Sequence, residues 1–118
     1  MEFSEYQRQA KKTSIYPSGG IQGLAYTCLG LNGEAGEVAE RIKKIIRCDY
    51  GLKEIEGLNE AILDVREDLI KELGDVLWYL SAMCHEIGTN LDEVALVNLA
   101  KLKSRMDRGK IKGSGDNR

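Results

Sequence analysis

The chain has 118 residues, of which 42% are hydrophobic, 31% are charged and one is a proline, a mix that indicates a single soluble helical domain. It lacks an apolar run long enough for a membrane span and a signal-like N-terminus, and its scattered Cys28, Cys48 and Cys84 fit reduced thiols of a cytoplasmic protein better than disulfides or a zinc site. The net charge of −2 is uneven, because residues 1–100 hold 10 basic and 17 acidic side chains (net −7) and residues 101–118 hold 7 and 2 (net +5).

The N-terminal segment predicts a short helix over residues 2–12, in which Phe3, Tyr6 and Ala10 fall at helical spacing. A loop follows from Thr13 to Gly20, where proline and glycine interrupt the helical pattern.

A long second helix is predicted from Ile21 to about Arg47. Three glycines, Gly30, Gly33 and Gly36, oppose it, each by roughly 1 kcal/mol relative to alanine. The apolar stripe outweighs them, since packing supplies most helix stability; the glycines would then permit close helix contact or a local bend. The stripe consists of Leu24, Cys28, Leu31, Ala35, Val38, Ile42 and Ile45. Residues 48–60 are predicted to be irregular, with a helical turn from Lys53 to Glu56.

The third helix is predicted to start between Asn59 and Asp64, with a capping box from Asp64 to Glu67, and to end at about Ile87 before Gly88. We expect it to be the most buried helix. Its stripe is Val65, Leu69, Leu73, Val76, Leu80, Met83 and Ile87, widened by Leu77, Trp78 and Ala82.

A fourth helix is predicted from a capping box at Asn90 and Glu93 to about Arg108. The predicted fold is therefore an all-α, antiparallel four-helix array over residues 1–108, completed by oligomerisation. Residues 109–118 form a flexible basic tail in this prediction.

Two segments of the same form stand out in the second and third helices: Glu34-Ala35-Gly36-Glu37-Val38 and Glu72-Leu73-Gly74-Asp75-Val76. Acids three residues apart lie on one side of a helix, so two facing helices would bring four carboxylates together. Such a cluster is poorly tolerated without cations and offers the oxygen ligands that Mg²⁺ prefers.

Helical wheels give the four acids unequal positions. At 100° per residue, Glu34 lies about 70° from the middle of its apolar stripe and Glu37 about 130°, and Glu72 and Asp75 occupy corresponding positions. The first acid of each pair should be half-buried and the second nearer solvent. The alternative is a pair of solvated helix faces. A di-iron site is disfavoured, because it needs Glu-x-x-His on two helices and the chain has only His85.

The fourth helix carries a polar stripe of Asn98, Lys101, Arg105 and Arg108, which could bind phosphate oxygens or be a solvated helix end. Tyr79, one turn after Asp75, could contact a nucleotide base, although an aromatic residue there is more often part of a core.

The two acid segments, with Leu31 to Glu40 and Lys71 to Leu80 around them, resemble those of the MazG-like all-α nucleoside triphosphate pyrophosphohydrolases, in particular the small single-domain phage and bacterial type. The stripe on the fourth helix and the ending Gly113 to Arg118 are also similar. The chain departs from the family in the longer gap between Glu37 and Glu72, caused by residues 48–63.

The resemblance implies hydrolysis of a nucleoside triphosphate to its monophosphate and pyrophosphate. It implies Mg²⁺, with Mn²⁺ as a substitute, held by Glu34, Glu37, Glu72 and Asp75, with Glu37 as the general base. Asn98, Lys101 and Arg105 match family positions that contact phosphates. Family members are usually dimers or tetramers with the active site near a subunit interface, which implies a homodimer or homotetramer here.

Other interpretations stay open on the sequence. The same fold could act on dUTP, dCTP or a phosphoribosyl nucleotide, or the chain could be a catalytically idle helical oligomerisation or regulatory module. The acidic body argues against nucleic-acid binding by the basic tail.

Overall fold

The computed structural model describes residues 1–47, 58–113 and 115, and of residues 58–61 and 64 it describes the backbone alone. Within these ranges the chain is helical and has no strand, which confirms the all-α class. The elements are helix α1 (Phe3–Ala10), a 3₁₀ turn (Lys11–Thr13) and helices α2 (Gly20–Ile46), α3 (Leu58–Glu86) and α4 (Leu91–Asp107).

Local signals in the sequence mark the end of α3 and the start of α4, but the cap predicted for the start of α3 is not one of them. The side chain of Asn90 accepts a hydrogen bond from the backbone N–H of Glu93 (2.8 Å), which confirms the predicted cap of α4. Gly88 has a φ of 74°, the left-handed conformation that ends α3. The capping box predicted at Asp64 is wrong: α3 already begins at Leu58, so Asp64 lies inside it. The turn predicted at Lys53 to Glu56 falls outside the described residues.

Most of the interhelical packing is between α2 and α3, and small residues bring the two helices close together. Thr27 is fully buried, and its hydroxyl donates to the carbonyl oxygen of Gly23 (2.9 Å). A Cβ added at Gly30 would lie 2.0 Å from ring carbon Cε1 of Tyr79, so this glycine permits close helix contact, one of the two roles predicted for the glycines. Gly33 instead meets open space, as does Gly36. At the other end, Ile45 and Val65 form an apolar core.

The face that α2 turns toward α3 is offset from the predicted apolar stripe. Its contact residues, Gly23, Thr27, Gly30, Arg41 and Ile45, are centred on the direction of Glu34, about 70° from the predicted centre.

On α3 the contact face is likewise centred near Glu72. Leu73 and Ile87, predicted to be buried, are 53% and 59% exposed. The apolar stripes gave the wrong contact faces because three of the contact positions on α2 are glycine or threonine, which a search for periodic hydrophobic residues does not detect. Among the described residues α3 still contributes more buried side chains than any other helix, as expected.

Helix α1 and the loop after it lie against α3 and the start of α4. The indole Nε1 of Trp78 donates to the Thr13 hydroxyl (2.8 Å), and the backbone N–H of Leu91 donates to the Gln7 side chain (2.9 Å). The Glu86 carboxylate accepts from the Tyr16 hydroxyl and from the Gly19 backbone N–H, both at 2.8 Å, and so fixes the loop before α2.

Helix α4 has much less contact with the rest of the chain than α2 and α3 have with each other. Its apolar side chains therefore stay largely in contact with water, namely Leu96, Val97, Leu99, Leu102 and Met106. No helix in the described part of the chain combines the length and apolarity needed to cross a membrane.

Candidate active site

Three of the four predicted metal ligands converge where α2 and α3 pack together. Glu34 of α2 and Glu72 and Asp75 of α3 each place a carboxylate oxygen within 4.8 Å of the others. The two acids of α3 are three residues apart and therefore point to the same side of their helix. Glu34 reaches the same point from α2, because Gly30, one turn earlier, lets the two helices approach closely.

The burial of the four acids follows the predicted order. Glu72 is buried and Glu34 half-buried, whereas Glu37 and Asp75 are exposed. Glu37 lies one turn beyond Glu34 and outside the three-carboxylate group, near enough for its charge to act on Glu34. Its predicted roles as ligand and general base stay predictions.

Electrostatic repulsion within the cluster is visible at Glu34. Partial burial raises the pKa of this carboxyl above its usual value, and the charges of Asp75, Glu37 and Glu72 raise it further. A divalent cation would relieve this repulsion, and an all-oxygen donor set at one point suits a hard ion such as Mg²⁺. The residues present thus fit the expected metal.

Arg41 is a site residue that the sequence reasoning missed. It lies on α2 one turn after Glu37, and its Nη2 and Nε atoms donate to Oε1 of Glu72 at 3.0 and 3.3 Å. It lies seven positions after Glu34, which puts the two side chains about 20° apart on a helical wheel. This position on the helical wheel could have identified Arg41 from the sequence, since it places a positive charge on the helix face that carries the acids.

Tyr79 borders the acids and belongs to an aromatic cluster. Its ring centroid lies 4.9 Å from that of Trp78 and 6.2 Å from that of Tyr26. The pKa of its hydroxyl is raised by a hydrogen bond with Tyr26 and by burial, and further by the nearby charges of Glu34 and Asp75. Tyr79 is therefore both a packing residue and a neighbour of the carboxylates.

Two of the predicted phosphate-binding side chains of α4 lie beside the end of α3. Asn98 and Lys101 line an open groove of about 410 Å³ beside the end of α3, and none of the four acids is part of its lining. Arg105 is buried, and its Nη2 donates to the carbonyl oxygen of Gly115 in the C-terminal segment (3.2 Å). Their contact with phosphate stays a prediction.

Comparison with known proteins identifies the family of this chain. Residues 22–109, which include all four acids and α4, match the MazG nucleotide pyrophosphohydrolase domain. The chain is also 45% identical over 122 residues to the Gene 37 protein of Mycobacterium phage L5, with both chains covered over their full length. No solved structure gives a significant match. The chain therefore belongs to the MazG nucleotide pyrophosphohydrolase family.

Proposed function

We propose that this protein hydrolyses a nucleoside or deoxynucleoside triphosphate to the monophosphate and pyrophosphate in the presence of Mg²⁺, and so cleans or balances nucleotide pools. The observation that carries the proposal is the convergence of Glu34, Glu72 and Asp75 in a MazG-family chain. The family supplies the reaction class, and the oxygen cluster supplies a place for the cation that a polyphosphate substrate needs.

In the proposed reaction the acids have separate tasks. Glu34, Glu72 and Asp75 hold the metal, together with Glu37 where its carboxylate turns inward. Mg²⁺, or Mn²⁺ in its place, neutralises phosphate charge and makes water more acidic when bound. The Glu37 carboxylate accepts a proton from the attacking water. The water oxygen bonds to the α-phosphorus as the bond from that phosphorus to the α–β bridging oxygen breaks. The bridging oxygen leaves with pyrophosphate, and the nucleoside monophosphate is the second product.

Glu37 suits the role of base because it is exposed and lies one turn from the cluster. There it is accessible to water while remaining beside the acids that hold the metal. A general base contributes about 10² to 10⁴ in rate, so its loss should be clearly visible in turnover.

A second copy of the chain would complete the site. Apolar side chains along α4 are exposed, including Leu96 at 68% and Leu99 at 63%, which favours burial in a homodimer or homotetramer. Asn98, Lys101 and Arg105 lie on the same helix, so a partner's α4 would be a source of phosphate contacts.

The order of the α2–α3 contacts, from Gly23 with Glu86 to Ile45 with Val65, supports the antiparallel array.

The test is a panel of nucleoside and deoxynucleoside triphosphates, including dUTP and dCTP, with Mg²⁺ and product analysis. We expect monophosphate and pyrophosphate from at least one nucleotide. Release of orthophosphate in place of pyrophosphate, or no turnover across the panel with either Mg²⁺ or Mn²⁺, would contradict the proposal. The second result would favour an idle helical module.

A matched pair of variants assigns the activity to the acids. Glu72→Gln removes a buried carboxylate of the cluster, and we expect it to lose turnover. Glu40→Gln is the control: it removes an acid from α2 that pairs with Lys43 and Lys44 and lies outside the cluster, so it should keep wild-type turnover.

A further inference from the structure

An arginine crosses from α2 to α3 at the edge of the carboxylate cluster. Arg41 donates from Nη2 and Nε to a single oxygen, Oε1 of Glu72, and its Nη1 atom lies 4.0 Å from an oxygen of Asp68. The side chain of Glu72 is 12% exposed and that of Arg41 is 35% exposed. The contact is thus partly shielded from water, unlike an ordinary surface ion pair.

The geometry of this contact restricts the Glu72 carboxylate. Two donors from one planar guanidinium converge on the same oxygen, which restricts where that oxygen can lie as the carboxylate turns about its last carbon–carbon bond. Glu72 is also one of the three acids whose oxygens lie within 4.8 Å of each other. Its orientation therefore decides whether the three oxygens face a common point.

We propose that Arg41 is a positioning residue that holds Glu72 in the orientation in which it binds a divalent cation; this rests on the function proposed above. Partners that hydrogen-bond to a metal ligand commonly change metal affinity by about 10- to 100-fold when they are removed. Arg41 itself would not touch the metal or the nucleotide.

The charge of Arg41 and its positioning role predict opposite changes in metal affinity when the side chain is removed. A nearby positive charge repels a metal cation, so its removal alone would tighten metal binding. Loss of positioning weakens binding, because Glu72 must then be ordered at the moment the metal binds. The sign of the change in affinity therefore separates the two roles.

The experiment measures Mn²⁺ affinity without nucleotide, by the electron paramagnetic resonance signal of free Mn²⁺, in wild type, Arg41→Lys, Arg41→Met and Lys43→Met. We expect Arg41→Met to bind Mn²⁺ about 10- to 100-fold more weakly. Arg41→Lys, which keeps the charge but not the planar fork, should fall between this variant and wild type. Lys43→Met removes a positive charge from the same helix but from a pair with Glu40, so it should match wild type or bind slightly more tightly.

A second readout links binding to the reaction. The Mn²⁺ concentration for half-maximal turnover should rise by the same factor as the dissociation constant. Wild-type affinity in Arg41→Lys, or tighter binding in Arg41→Met, would overturn the positioning role. Arg41→Lys keeps the charge and the aliphatic stem, so it decides the question if Arg41→Met does not fold. If wild type itself binds no Mn²⁺, the proposed metal site fails, and with it this role; if wild type binds but Arg41→Lys is unaffected, only the positioning role fails.

Discussion

Gly30→Ala offers a direct test of the close packing between α2 and α3. The added Cβ would lie 2.0 Å from Cε1 of Tyr79 and 2.4 Å from Cδ1 and Cζ, far inside van der Waals contact. The ring cannot move away freely, since Trp78 packs edge-on against it and Tyr26 lies on another side. The substitution should therefore force the helices or the aromatic cluster apart.

Two effects of opposite sign determine how much Gly30→Ala changes the free energy of unfolding. Overpacking a filled interface costs about 1–3 kcal/mol, and this clash lies toward the upper end. Replacing glycine by alanine inside a helix returns about 1 kcal/mol. We expect a net loss of about 1–2 kcal/mol in the free energy of unfolding, or about 3–8 °C in Tm for a domain of this size.

Gly33→Ala is the matched control, one turn further along α2. Among the described residues, no atom outside the local helix backbone lies within 4 Å of its added Cβ, so the variant keeps the helix gain without a clash and should melt a few degrees higher than wild type. Both variants are to be melted by circular dichroism at equal protein concentration. A Gly30→Ala protein as stable as Gly33→Ala would refute the close contact with Tyr79.

Three further predictions follow from the site and its surroundings. Glu37→Gln should lower turnover about 10²- to 10⁴-fold with helicity unchanged, and retained activity would remove Glu37 from the role of base. The pKa of Glu86 is lowered by hydrogen bonds from the Gly19 backbone and the Tyr16 hydroxyl, so its ionised form stabilises the fold above pH 4.5 and this stabilisation is lost as the pH falls below that value. The Tm difference between wild type and Glu86→Gln should accordingly shrink in acid, and a constant difference would contradict the linkage. Leu99→Glu should dissociate the proposed oligomer, seen as a lower mass in light scattering, whereas an unchanged oligomer mass would show that α4 is not the interface.

The end of α3 and the start of α4 could be predicted because strong local signals set them. Gly88 with its left-handed backbone and Asn90 with its cap end one helix and start the next within a few residues. The start of α3 was predicted less accurately. Asp64 is a residue type that often caps helices, but α3 begins six residues before it. A capping residue can occur inside a helix when tertiary packing stabilises the turn that precedes it.

The faces of the helices were predicted less well than their ends. Apolar periodicity assumes that large hydrophobic side chains mark the interface, but α2 contacts α3 through Gly23, Thr27 and Gly30, where close backbone approach replaces side-chain bulk. The relative burial of the acids was nevertheless correct, because spacing within each motif fixes their relative direction. Arg41 was missed because its importance depends on Glu72 across the interface, which is 31 residues away in sequence.

The charge at the site gives the strongest reason to look beyond a single chain. Four carboxylates and a triphosphate together carry about −8, and one divalent cation with Arg41 offsets only about 3 of these charges. Positive charge is densest in residues 101–118, which hold 7 basic and 2 acidic side chains. Within one chain, Lys101 lines a groove that contains none of the acids. Its helix also exposes an apolar surface, so docking α4 of a second copy near the cluster would bury that surface and supply positive charge in one step.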